Sequence, residues 1–220
     1  MADKRVAIID CTSTFLRSLI DAVKDNSTKS EKIIPFVFPS TATLDDIGRV
    51  EPNAIIVSGS GLSIHHKKSP KPDKAIFQQT DIPVLGICYG MQYMCHALGG
   101  VVKAGHDREH GVTEIYFNVK IDDNVKEIVP DKILPTINPN IESPLFKNFH
   151  KGARVWMSHV CQILEVPDGF VTTSLSEHLT VSSVEKDNLF GIHFHPEKRK
   201  ESLKDTGSGD LVLENFIAII

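Results

Sequence analysis

Residues 82–87 (IPVLGI) form a short apolar run that ends in Gly86-Ile87-Cys88-Tyr89-Gly90. The chain then passes without a linker into 89–98, a helical pattern stopped by Gly99-Gly100. A strand that becomes a helix this abruptly leaves few options. An all-apolar strand is buried on both faces, which calls for helices on both sides of a mainly parallel sheet. The same alternation fills the preceding residues. Residues 5–10 (RVAIID) read as a strand, and 14–24 as a helix with Phe15, Leu16, Leu19, Ile20 and Val23 on one face. Residues 32–38 (KIIPFVF) read as a strand whose Pro35 points to the sheet edge. Residues 44–50 are a short helical candidate, and 54–58 (AIIVS) a further buried strand running into Gly59-Ser60-Gly61. The reading is an α/β fold with a largely parallel central sheet flanked by helices.

The second half changes character. Residues 113–121 (TEIYFNVKI) alternate as a strand does, and 153–157, 169–174, 181–185 and 189–194 are short strand candidates, consistent with a smaller antiparallel region. Residues 211–220 read as a terminal helix that docks on the sheet. Residues 65–72 and 198–210 are polar loops, 74–79 a short helix, and 122–140 a charged, proline-broken insertion or long loop. With 220 residues, positions 1–220 make one domain large enough for a full core.

Charge and composition exclude several classes of function. Lys+Arg is 24 against 28 Asp+Glu, a net charge of -4, so nucleic acid is not an expected partner. No apolar run reaches the roughly 18 residues that cross a bilayer. The opening MADKRVAIID lacks the apolar stretch of a signal peptide, so a cytoplasmic location without membrane attachment is expected. Cys11, Cys88, Cys95 and Cys161 include no C-x-x-C pair and read as reduced thiols, with Cys95 in the core.

Cys88 is different because of its neighbours. Gly86-Ile87-Cys88-Tyr89-Gly90 is G-x-C-x-G, the thiol counterpart of the nucleophile elbow. The turn lifts the side chain clear of the sheet, and the flanking glycines let strand and helix backbones approach. The helix N-terminus sets partial positive charge beside the sulfur and favours a reactive thiolate. The Tyr89 N–H points where an oxyanion develops. Far downstream, His193-Phe194-His195-Pro196-Glu197 offers a base with its own carboxylate. On an extended segment His195 and Glu197 project to one side. A nucleophilic Cys with a His–carboxylate pair is the arrangement of acyl transfer. His193 shares that face, but no third ligand stands at metal-binding spacing, so no metal is expected.

At these residues the chain resembles the class I (triad) glutamine amidotransferases, and within them the glutaminase part of GMP synthetases. The likeness rests on GICYGMQYMCHALGG (86–100), with the preceding IPVLGI, DREHG (107–111), VWMSH (155–159), LFGIHFHPE (189–197) and LENF (213–216) following in the family's order. The resemblance implies a flavodoxin-like fold and a Cys88, His195, Glu197 triad. Cys88 would attack the side-chain amide of L-glutamine. Backbone N–H groups of Ser60 and Tyr89 would form the oxyanion hole. Gly59, Gln92, Ser158, His159 and Val160 would line the substrate. It further implies delivery of ammonia to an ATP-dependent synthetase domain or subunit, for GMP synthesis from XMP. ATP and magnesium would belong to that partner, because these residues contain no Ser-Gly-Gly-x-Asp-Ser pyrophosphatase loop, and no cofactor is expected in this chain. Two other readings stay open: a γ-glutamyl hydrolase of the same fold without ammonia transfer, and a non-catalytic regulatory relative.

Three positions depart from the family pattern. Ser60 stands where glycine is usual, so a positive φ there would be strained. Val160 replaces a glycine and is expected to narrow the pocket. Cys161 replaces an aspartate. Arg108-Glu109 reads as an internal ion pair bracing the site, in preference to a contact with a synthetase partner, Trp156 as core strand with Val155 and Met157, and 65–68 (HHKK) as a solvated loop.

Overall fold

The computed structural model describes residues 3–117, 142–150, 152–198 and 208–220, with the backbone alone at 106, 107 and 208. The excursion expected at 122–140 lies outside these residues. The described strands are β1 (Lys4–Asp10), β2 (Ile33–Pro39), β3 (Ala54–Val57), β4 (Val84–Ile87), β5 (Val101–Phe117), β6 (Ala153–Glu165), β7 (Val171–Ser176), β8 (Val181–Lys186) and β9 (Leu189–Ile192). The helices are α1 (Leu16–Asp25), α2 (Leu44–Gly48), α3 (Tyr89–Ala97) and α4 (Ser208–Ile219), with single 3-10 turns at Lys74–Phe77 and Pro144–Phe146.

These strands form one nine-stranded sheet in the order β2-β1-β3-β4-β9-β8-β7-β5-β6. From β2 to β9 every pairing is parallel. From β9 to β6 every pairing is antiparallel. The sheet is therefore mixed α/β, parallel in its first half, as the strand–helix alternation predicts. Pro35 sits in β2, the outermost parallel strand, where its missing N–H costs least.

Alternation along the strands divides the core between the two faces of the sheet. Val6, Ile8, Ala54 and Ile56 pack with Leu19 and Val23 of α1 and Val212, Leu213 and Phe216 of α4. Ala7, Ile9, Ile55 and Val57 pack with Ile47 of α2 and Met91, Met94 and Cys95 of α3. Each Val, Leu, Ile, Met or Phe side chain among these contributes about 1.5–3 kcal/mol on burial, so helices on both faces stabilise the parallel half.

Two strands run longer than their apolar pattern suggests. β5 reaches back to Val101 because residues 105–108 are a polar bulge that hides its period. Its register against β6 slips between Ala104, opposite Cys161, and Glu109, opposite His159. β6 continues past Met157 with His159, Cys161 and Ile163 all turned inward. The buried imidazole of His159 is what interrupts the apolar alternation.

Candidate active site

The elbow takes a backbone shape that few side chains tolerate. Cys88 is the N-cap of α3, with φ 49° and ψ -102°. A non-glycine residue there carries about 1–3 kcal/mol of strain. Hydrogen bonds on either side hold it: Cys88 N–H donates to Ile192 O at 2.8 Å, and Gln92 N–H donates to Cys88 O at 3.0 Å. The flanking glycines are sterically required. A Cβ on Gly86 would lie 2.7 Å from the Gly90 carbonyl carbon, and one on Gly90 would lie 2.2 Å from Val57 O. G-x-C-x-G is thus the pattern that lets β4, β3 and α3 meet around one sulfur.

Strand pairing delivers the base. β4 and β9 are parallel neighbours with Ile87 opposite Ile192, so the residues after both strands emerge at the same edge, where α/β sheets bind ligands. His195 Nδ1 lies 2.9 Å from Glu197 Oε1. The His195 N–H donates to Trp156 O at 2.9 Å, and the Phe15 ring meets the imidazole edge-on at 5.0 Å. With Nδ1 committed to Glu197, Nε2 is the nitrogen left for the sulfur. Burial alone would depress the imidazole, but the Glu197 carboxylate and the hydrogen-bonded Cys88 outweigh it and push the pKa up to about 10. The arrangement favours the imidazolium form of His195. The sulfur's other contact is Ser158 O, at 3.7 Å.

Behind these residues lies a second buried polar array. Glu109 Oε1 accepts from Thr180 Oγ1 at 2.6 Å and Ser176 Oγ at 3.1 Å. Its Oε2 faces His159 Nε2 at 3.6 Å. Burial raises this carboxyl, but His159 and the two hydroxyls together hold it below its ordinary range. His159 stacks flat on His193 with ring centroids 3.6 Å apart. Burial, and then the neighbouring His159, lower His193 well below its ordinary value, so it is neutral. Its Nδ1 donates to Val181 O at 3.1 Å, which leaves Nε2 to accept from Gln92 Nε2 at 2.9 Å. The array fixes the floor of the site.

The sulfur opens into a cavity of about 470 Å³. Of the expected site residues, Cys88, His195, Ser60, Gln92, Ser158, His159 and Val160 line it. Glu197 lies behind His195. Gly59 lies against the base, and a Cβ there would sit 3.0 Å from His195 Cε1. Tyr89 turns its side chain away, donating to Pro70 O and stacking on Tyr93. Its N–H stays in the first turn of α3, where helix geometry supplies no acceptor.

Several expectations need correction. Ser60 does not adopt a positive φ, so the substitution of glycine brings no backbone strain. Its Oγ accepts from Leu62 N–H at 3.2 Å. Val160 lines the cavity at its rim, 46% exposed, so its side chain bears on the mouth of the pocket and not on its floor. Arg108 and Glu109 do not pair. Being adjacent on a strand they face opposite ways, Arg108 toward the cavity and Glu109 toward His159. Trp156 is not core like Val155 and Met157. It lies half-buried on the opposite face of β6, beside His110 and Lys198. Phe15, whose spacing puts it on the packed face of α1, instead walls the site. Nothing in the apolar spacing distinguishes it, because it falls in phase with Leu19. Among the described residues no group of three His, Cys, Asp or Glu could hold a metal ion, and no helix is long and apolar enough to cross a membrane.

Residues 7–216 match the family model for glutamine amidotransferase class-I. The chain is 33% identical over 219 residues to GMP synthase [glutamine-hydrolyzing] of Bacillus velezensis and 32% identical over 219 residues to that of Bacillus subtilis. Each alignment covers 99% of this chain but 36% of the relative, so the chain spans little more than a third of their length. The fold matches a putative GMP synthase subunit from Thermoplasma acidophilum with a TM-score of 0.74 at 17% identity, covering 98% of this chain and 93% of that one. It matches a glutamine amidotransferase from Thermotoga maritima with a TM-score of 0.64 at 17% identity, covering 98% and 97%. With a full-length family match and relatives a third identical across the whole chain, this protein belongs to the class I glutamine amidotransferases.

Proposed function

We propose that this chain hydrolyses the side-chain amide of L-glutamine to glutamate and ammonia. In this reading it passes the ammonia to an ATP-dependent synthetase partner that forms GMP from XMP. The observation that carries it is the Cys88 sulfur on its strained elbow, beside an imidazole fixed by Glu197 and open to a cavity of amino-acid size. The Cys88 thiolate attacks the amide carbon, and the N–H groups of Ser60 and Tyr89 receive the negative oxygen. As the C–N bond breaks, His195 hands its proton to the departing nitrogen, giving ammonia and a γ-glutamyl thioester. His195 then takes a proton from water, which attacks the thioester, and glutamate leaves as the thiolate returns. Gln92 donates through Nε2 to His193 and to Cys161 O, which leaves its Oε1 to meet the substrate. The synthetase step is supported by the names of the relatives and by the share of their length this chain spans.

Ammonia release from glutamine, with and without a GMP synthetase partner, tests the reading. Cys88→Ala is the control and is expected to abolish release while the chain stays folded. Turnover of γ-glutamyl peptides without turnover of glutamine would replace it with the γ-glutamyl hydrolase reading. No covalent capture of Cys88 by a diazoketone analogue of glutamine would point to a non-catalytic relative.

A further inference from the structure

The cavity that holds Cys88 and His195 is lined by one guanidinium, Arg108, and by no carboxylate among the described residues. The rest of its polar lining consists of hydroxyls, thiols, imidazoles and one amide. Two carboxylates close to the site lie behind imidazoles: Glu197 is held to His195, and Glu109 faces His159. Apart from the reacting Cys88–His195 pair, the described lining therefore offers a ligand a full positive charge and no carboxylate.

The backbone places Arg108 there. Between Ala104, opposite Cys161, and Glu109, opposite His159, residues 105–108 of β5 face only Val160 of β6. Such bulges re-aim side chains beside active sites. Arg108 Nη2 lies 3.3 Å from His110 Nδ1, which lies 3.3 Å from Ser158 Oγ. The carbonyl oxygen of that same Ser158 lies 3.7 Å from the Cys88 sulfur. One residue of β6 thus spans from the nucleophile to the neighbourhood of the cation. Arg108 uses one N–H on the His110 ring and makes no ion pair with a described carboxylate. Its remaining donors match a carboxylate's two oxygens.

We propose that Arg108 anchors the α-carboxylate of the substrate, and that the pocket selects carboxamides bearing a distal carboxylate without requiring an α-ammonium group. This rests on the pocket being an amide-hydrolysing site and specifies which end of the substrate it recognises. Glutarate monoamide, which lacks the ammonium, is expected to be hydrolysed with kcat/KM within about tenfold of glutamine, because no full charge is left unpaired. Glutamine α-amide, which lacks the carboxylate, is expected to fall about 10- to 100-fold, the range of a charge-assisted hydrogen bond.

Ammonia release from the three amides by wild type, Arg108→Ala and Arg108→Lys decides the matter. Arg108 is exposed on the rim, so its removal leaves the core intact. The expected result is a KM for glutamine and glutarate monoamide raised about 10- to 100-fold in Arg108→Ala. Arg108→Lys should recover part of that loss, and the α-amide should be handled as by wild type. If wild type turns over glutamine but Arg108→Ala treats all three amides just as wild type does, the anchor is overturned while the hydrolase reading stands. Rejection of glutarate monoamide by an enzyme active on glutamine overturns the tolerance for a missing ammonium. Failure of wild type to release ammonia from any of the three overturns the hydrolase reading itself.

Discussion

Replacing Gly90 by alanine tests whether the elbow's geometry or merely its residue types sets activity. The added Cβ would lie 2.2 Å from Val57 O and 2.9 Å from Val57 C. That falls about 1.2 Å short of the 3.4 Å at which ordinary contact begins. Both partners are backbone, so no rotamer change relieves the clash, and α3 must back away from β3 by about an ångström. Overpacking of this kind costs about 1–3 kcal/mol, against up to about 1 kcal/mol regained from the helix preference of alanine. The net loss of up to about 2.5 kcal/mol corresponds to a Tm drop of up to roughly 10 °C at this chain length. Activity is expected to suffer more. Cys88 is the residue from which α3 starts, and moving a reacting atom by about 1 Å costs on the order of 100-fold. Thermal denaturation and ammonia release from glutamine read the two effects separately. Gly48→Ala is the control, because a Cβ there meets nothing within 4 Å. Wild-type turnover in Gly90→Ala, or an equal penalty in Gly48→Ala, would refute the argument that close backbone approach positions the sulfur.

Two further predictions concern the buried imidazoles. His195 is raised from its ordinary 6.5 to about 10 in the folded chain. Its contribution to stability is therefore complete below pH 6.5 and lost as pH rises through 10. Urea midpoints measured from pH 6.5 to 10 should fall in wild type, and fall less steeply in Glu197→Gln, whose neutral amide no longer favours the imidazolium. Glu109 is depressed, so it stabilises the fold above the ordinary carboxylate range and that share disappears on acidification. Glu109→Gln should cost on the order of 3 kcal/mol at neutral pH, the scale of breaking a buried pair. It should also flatten the acid limb of the stability curve, and an unchanged urea midpoint at pH 7 would count against the Glu109–His159 contact.

The parallel half of the fold and the nucleophile were legible because each is written locally. Buried strands such as 54–58 are continuous apolar runs, and the close approach at Gly86 and Gly90 excludes every larger residue. His195 and Glu197 were legible because two residues apart on an extended segment share a side. Arg108 was not, since its direction depends on a bulge that only the pairing of β5 with β6 creates. The partnership of Glu109 with His159 was hidden for the same reason: the two meet across the ladder, whereas the sequence shows Glu109 beside Arg108. Phe15 carries an apolar signal that fits the core as well as it fits the wall of a cavity.

β9 is the seam of the sheet, parallel to β4 on one side and antiparallel to β8 on the other. The sulfur and the imidazole therefore issue from adjacent rungs at the middle of the ribbon, with three described strands beyond β4 on one flank and four beyond β9 on the other. Amide protons of β4 and β9 should be the last to exchange with deuterated solvent. Fraying, nicking or lengthening the peripheral hairpins then leaves the reacting pair in step, and the margins of the molecule are free to drift toward whatever neighbour they must fit.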